Sequence, residues 1–252
     1  MASTPGFDAG ICARGLEGPL VGESAGVGED QVLPSASLIK VLVLAELLRQ
    51  ADRGTLYLEE ELEVWSEDLV DDSEMLAREQ MPTRMPVRRL AEGMITLSDN
   101  AATNLLIRRL GIERVNDLAR DLGLRNTSLR REMMDVAARA RGEENLTTAS
   151  EMVVLLGEIW HGPSLSQASR AFALELLLGQ RIESKISLTL PAGAGYAHKT
   201  GELQGVENDA GLVLVPGRTF ALAVLVRGDV ERALPLVGRA VSAVCETFAG
   251  SW

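Results

Sequence analysis

The stretch SLIKVLVLAELLRQADRG, residues 37–54, constrains the fold of this chain more than any other. It consists of good helix formers, is apolar on nearly every face, and is stopped by Gly54. A helix that is apolar all round belongs inside a larger body, so the rest of the chain must wrap around it. The chain has 252 residues, and a chain of that size can bury roughly 70–75% of its extended surface.

The flanking segments suggest how it is wrapped. Residues 10–14 and 19–24 read as two short strands joined by a Gly-rich turn at Gly15–Gly18, and GVGEDQVLP reads as the loop after them. From the apolar helix to about residue 185 the pattern is mostly helical: VRRLAEGMI, DNAATNLLIRRLG, ERVNDLARDLG and ASEMVVLLGEIW carry a 3.6-residue apolar period or Gly stops. Residues 128–146 are charged and irregular, fitting either an amphipathic helix or a long ordered loop, and such loops are often functional. Strands return as YAHKTGEL, DAGLVLV, a Pro216-Gly217 turn and TFALAVLV. Asp229 then caps a helix with Val230, Leu234, Val237, Val241, Val244 and Phe248 on its buried side. The expected fold is α/β of the α+β kind. Residues 1–35 and 186–252 make one antiparallel sheet domain, and residues 36–185 make a mostly helical domain inserted into it, with the natural site in the cleft between.

Composition excludes several functions. Lys plus Arg is 25 against 36 for Asp plus Glu, a net charge of −11, which disfavours nucleic acid and anionic lipid as partners. Two cysteines, Cys12 and Cys245, and two histidines, His161 and His198, cannot supply the usual zinc or multi-histidine centres, so neither metal nor cofactor is expected. The start, MASTPGFDAG, lacks the basic and apolar regions of a signal peptide, and no apolar run approaches membrane-spanning length. As it stands the chain reads as cytoplasmic; a chain trimmed from an exported precursor reads the same. A monomer is expected.

Chemistry enters through the lysines. There are only three, Lys40, Lys185 and Lys199, against 22 arginines, so a retained lysine suggests a need to lose a proton, which Arg cannot do. Lys40 follows Ser37 by three positions and shares its helix face, and Ser37 lies at the positive end of the helix dipole. To act as a base, Lys40 must fall from about 10.4 toward 7, roughly 4 kcal/mol of bias that an apolar helix helps to supply. By itself the pattern is also that of a capping serine and a surface lysine. Ser98-Asp99-Asn100 likewise has the composition of a helix cap, and Lys199-Thr200-Gly201 that of an exposed strand end.

Taken in order, Ser-x-x-Lys, Ser-Asp-Asn and Lys-Thr-Gly resemble the class A β-lactamases and the related penicillin-binding serine enzymes. The flanks resemble them too: GMITLSDNAATNLLIRRLG, LTTASEMVVLLGEIW and LPAGAGYAHKTGEL, so that the likeness spans residues 10–250. The resemblance implies that Ser37 is the acylated nucleophile, that Lys40 helps to take its proton, and that Ser98 relays a proton to the leaving nitrogen. It implies that Asn100 holds the substrate amide, that Lys199 and Thr200, with Gly201 in the same motif, bind the substrate carboxylate, and that the backbone N–H groups of Ser37 and Glu202 form an oxyanion hole. The substrate class implied is a β-lactam, an ester or a D-Ala-type amide.

The chain departs from that pattern in the segment expected to carry the deacylating glutamate, Arg131-Glu132-Met133-Met134-Asp135. Glu132 is the first candidate; Asp135, Glu143 and Glu144 are others. Asp72 stands where an aromatic wall is expected, His198 replaces an acidic residue, and no Arg follows Pro216-Gly217 as a second carboxylate anchor. Three readings follow: a serine β-lactamase-like hydrolase of weak activity; a D,D-peptidase, transpeptidase or esterase on the same fold; and a penicillin-binding sensor that stays acylated. A His-based serine hydrolase is disfavoured, because His198 has no evident orienting acid in the sequence.

Overall fold

The computed structural model describes residues 6–183, 190 and 193–249. Lys185 lies outside them. The chain opens with strand β1 (Phe7–Gly15), a 3-10 turn at Gly18–Leu20, strand β2 (Ser24–Val27) and the short β3 (Leu33–Pro34). The strand expected at 19–24 is therefore displaced toward the segment expected to be loop. Pro19 has no N–H to give a ladder, and it sits instead at the start of the 3-10 turn.

A second 3-10 turn, Ala36–Leu38, runs directly into α1 (Ile39–Asp52). Every residue of α1 from Ile39 to Arg49 is buried, as its all-round apolar character requires. Around it follow β4 (Glu61–Val64), β5 (Thr83–Pro86), α2 (Val87–Thr96), α3 (Asn100–Leu110), α4 (Ile112–Asp121), α5 (Val136–Ala140), β6 (Leu146–Thr147), α6 (Ala149–His161) and α7 (Gln167–Leu178). The chain closes with β7 (Gly195–Leu203), β8 (Val206–Leu214), β9 (Phe220–Gly228) and α8 (Val230–Ala249). Asp229 caps α8, its carboxylate accepting from Arg232 N at 3.2 Å.

Both ends of the chain build one antiparallel sheet in the order β2-β1-β9-β8-β7. The period of two divides its side chains cleanly. Leu222, Val224 and Val226 of β9 face α8 and pack with Val237, Val241 and Phe248. Ala221, Ala223 and Leu225 face the other way, into the core that contains α1 and α6. The sheet is thus covered on both faces, and β7 forms one of its edges.

Residues 128–146 form an ordered loop that includes the single short helix α5. Its neck is closed by reciprocal backbone bonds between Ser128 and Leu146, at 3.0 and 3.1 Å. Cys12 and Cys245 are buried free thiols. Among the described residues, no helix is long and apolar enough to cross a membrane.

Candidate active site

A cleft of about 380 Å³ is lined by residues of the 3-10 turn before α1, the junction of α2 and α3, the 131–139 segment and β7. Ser37, Ser98, Asn100, Thr200 and Glu202 all line it. Four non-glycine residues among those described have positive φ: Ala36 (47°), Asp72 (57°), Ser98 (56°) and Met134 (62°). All four line this cleft. Each left-handed residue costs about 1–3 kcal/mol and persists only where its surroundings impose it. Such clustering marks the cleft as the functional region of the fold.

Neither Ser35 nor Ser37 makes a side-chain cap bond, so the hydroxyl of Ser37 is not engaged as a helix cap. Lys40, in the first turn of α1, is fully buried. Its amine donates to Ser98 O at 2.7 Å, to Ser98 Oγ at 3.0 Å and to Asn100 Oδ1 at 2.7 Å. None of the three bonds goes to Ser37. Burial, reinforced by the nearby Lys199 charge, holds the Lys40 amine well below its usual range, against the pull of Asp99 and Asp72.

Within Ser98-Asp99-Asn100 the capping and the active-site readings are both correct, for different residues. Asp99 caps α3: its Oδ1 accepts from Ala102 N at 2.8 Å. Its Oδ2 accepts from Met75 N at 2.8 Å and Leu76 N at 3.1 Å, tying down the segment after Asp72. Asn100 is fixed from its other side by donating to Asp71 O at 3.0 Å. Ser98 and Asn100 are thereby held where Lys40 reaches both.

Lys199 is also fully buried, and desolvation brings its amine down to about 7 in spite of the Asp209 and Glu202 carboxylates. It donates to Thr200 O at 2.9 Å. Gly201 explains why the edge strand can approach the nucleophile turn. A Cβ there would lie 3.0 Å from Ser35 O, 3.1 Å from Leu38 N and 3.2 Å from Ser37 N, so a larger residue would push the turn away. Arg227 of β9 pairs with Asp8, so no arginine of that strand joins the cleft.

The opposite wall comes from the 128–146 loop. Glu132 is not among the residues that line the cleft; its carboxylate pairs with Arg108 at 3.1 Å. Glu144 binds Arg131 at 2.6 Å and Arg139 at 3.1 Å, and Glu143 binds Arg141 at 2.8 Å. Of the acids considered from sequence, Asp135 lines the cleft, and one of its oxygens caps α5 by accepting from Ala138 N at 2.8 Å. Met133 and Met134 line it too. The backbone of Met133 is clamped by Asn104, which accepts from Met133 N at 2.7 Å and donates to Met133 O at 3.0 Å. Asn104 went unremarked in the sequence. Its signal was there, since it follows Asn100 by four positions and so shares a face of α3.

His198 was read as lacking an orienting acid, and the structure corrects this. Asp209 of β8, fully buried, lies 2.9 Å from His198 Nδ1 and accepts from Tyr196 Oη at 3.1 Å. The pair does not line the cleft with Ser37.

The comparisons with known proteins agree with this geometry. The family described as the beta-lactamase enzyme family matches residues 1–248. A β-lactamase of Streptomyces lavendulae is 31% identical over 222 residues, covering 83% of this chain and 72% of its own. The solved structure of PBP-A superposes with a TM-score of 0.87 at 30% identity, covering 98% of this chain and 92% of its own. A mutant of PBP-A, solved as its acyl-enzyme complex with penicillin G, gives the same TM-score and identity over 97% and 91%. A mutant of the last common ancestor of Gram-negative bacteria β-lactamase class A superposes at 0.87 and 28% identity, over 98% and 95%. The chain therefore belongs to the β-lactamase enzyme family, as a hydrolytic serine enzyme of the class A β-lactamase fold.

Proposed function

We propose that Ser37 opens the amide of a β-lactam ring and carries the product as an acyl-enzyme. The reading rests on one observation above all: the buried Lys40 amine, one turn from Ser37, is held by both Ser98 and Asn100. A lysine kept out of water and beside a second lysine favours its neutral form, which can accept the Ser37 proton as Oγ bonds to the carbonyl carbon. The C–N bond then breaks, and Ser98 passes the proton from Lys40 to the leaving nitrogen. Lys199 and Thr200 receive the substrate carboxylate, and Asn100 orients the amide. The N–H groups of Ser37 and Glu202 stabilise the oxyanion; losing one such donor can cost about 3–4 kcal/mol. The penicillin G acyl-enzyme of the PBP-A mutant supports a β-lactam as the acyl donor.

Turnover is expected to be slow. Deacylation needs a base beside the acyl carbonyl, and Glu132, the residue nominated by sequence, is engaged by Arg108 while Met133 and Met134 line the cleft. The same observation favours a second reading, in which the acyl-enzyme persists and the protein retains β-lactam rather than destroying it.

Intact-protein mass spectrometry after a short pulse of penicillin, with Ser37→Ala as control, tests this. An adduct on Ser37 that decays over minutes to hours is the expected result, and a persistent adduct selects the second reading. If no adduct forms, the β-lactam reading is wrong and ester hydrolysis becomes the next assay.

A further inference from the structure

The mechanism leaves one buried polar cluster unused. Tyr196, His198 and Thr200 alternate along one face of β7, and Asp209 is the cross-strand partner of Thr200 on β8. The Tyr196 and His198 rings stack with centroids 4.3 Å apart, and both reach the same Asp209 oxygen. Gly211, opposite His198, makes the room: a Cβ there would come within 2.5 Å of the His198 Cβ. A fully buried carboxylate is costly unless bonded, so this arrangement is specific.

Its position gives it a task. Lys199 is buried and faces the Lys40 amine of α1, a like charge, as well as two carboxylates, Asp209 of β8 and Glu202 of its own strand. Glu202 is exposed and screened by water, whereas Asp209 is completely buried and acts unscreened. Facing Asp209 are Tyr196 and His198, and Cys245 of α8 lies near Tyr196. We propose that Asp209, held by His198 and Tyr196, is the buried counter-charge that sets how firmly Lys199 holds a substrate carboxylate. The three are positioning residues acting through Lys199, and the inference rests on the carboxylate-anchor role proposed above for that lysine.

The test uses the fact that the chain has three lysines and two histidines, so that labelled side-chain signals are few. In the full-length protein with ¹³Cε-lysine, the Lys199 signal is assigned from Lys199→Arg and titrated. Asp209→Asn is expected to lower its midpoint by about one pH unit and to slow penicillin acylation about 5–10-fold near pH 7.5, but less than about twofold near pH 5.5. Acylation by an aryl ester without a carboxylate should change less than about twofold at either pH. Asp209→Glu should restore the midpoint. An unmoved midpoint, or equal losses with both substrates at every pH, overturns the proposal and leaves the cluster a purely structural one. Should Asp209→Asn not fold, the unmutated protein decides: the His198 ring signal must inflect at the Lys199 midpoint, because Asp209 couples them, and a signal without that inflection overturns the idea. Failure of penicillin to acylate the unmutated protein counts against the proposed function alone, since the titrations do not depend on it.

Discussion

One wall of the cleft is carried by α1, α3 and β7, the other by the 128–146 loop, and the two use their polar groups in opposite ways. On the first wall Lys40 is bound to Ser98 and Asn100, and Asp99 and Asn100 hold the segment around Asp72. Polar contacts there converge on the place where Ser37 is attacked through. On the second, Arg131 and Arg139 are taken by Glu144, Glu132 by Arg108, and the backbone of Met133 by Asn104. Its charges stabilise the loop itself and leave two thioether side chains toward the cleft. The contrast teaches that forming and breaking an acyl-enzyme are separate structural problems, of which this chain is built chiefly for the first.

The largest expected effect is on the first wall. Lys40→Met should slow formation of the Ser37 adduct by about 10²–10⁴, the range of a general base. Adduct formation within tenfold of the unmutated rate would remove Lys40 from the mechanism. The second wall should respond in the opposite sense. Met133→Glu places a carboxylate where the Asn104 clamp fixes the backbone, and should shorten the lifetime of the adduct about tenfold or more, as read by timed mass spectra. An unchanged lifetime would mean that a carboxylate there cannot reach the acyl carbonyl.

A third test concerns pH. Lys199 is brought down to about 7, so its positive charge is present below that pH and lost as pH rises through it. KM for a carboxylate-bearing penicillin should therefore climb about tenfold per unit above that point, while KM for a neutral aryl ester stays flat. Parallel curves for the two substrates would show that Lys199 does not bind the carboxylate. The smallest effect is expected for Glu132→Gln. With Arg108 holding the side chain, the adduct lifetime should lengthen less than about threefold, whereas a gain of tenfold or more would restore Glu132 as the deacylating base.

Much of this site was legible before any coordinates. The apolar period of residues 37–54 required a buried α1, the three ordered triplets named the first wall, and alternation along β8 and β9 required a sheet covered on both faces. Other features were not legible, for identifiable reasons. Glu132 stands beside Met133 in sequence, and one residue of loop register decides which of them lines the cleft. That register is set by Asn104, 29 residues earlier. Pro19 moved β2 because the absence of an N–H there outweighed a strand-like composition. The acid for His198 was missed because it arrives from the neighbouring strand, 11 residues on.

The sequence by itself determined the helix that had to be buried, the order of strands and helices, and the residue types at the nucleophile, its base and the carboxylate anchor. These depend on local propensity and period, which short windows carry. Only the tertiary structure decided which carboxylates reach the cleft and which are consumed in ion pairs, because a side chain's partner is chosen by the packing of distant segments. It also decided the protonation of Lys40 and Lys199. Two lysines of the same kind in sequence become unlike any surface lysine once both are removed from water and set near each other, and desolvation on that scale exists only when the whole chain has closed around them.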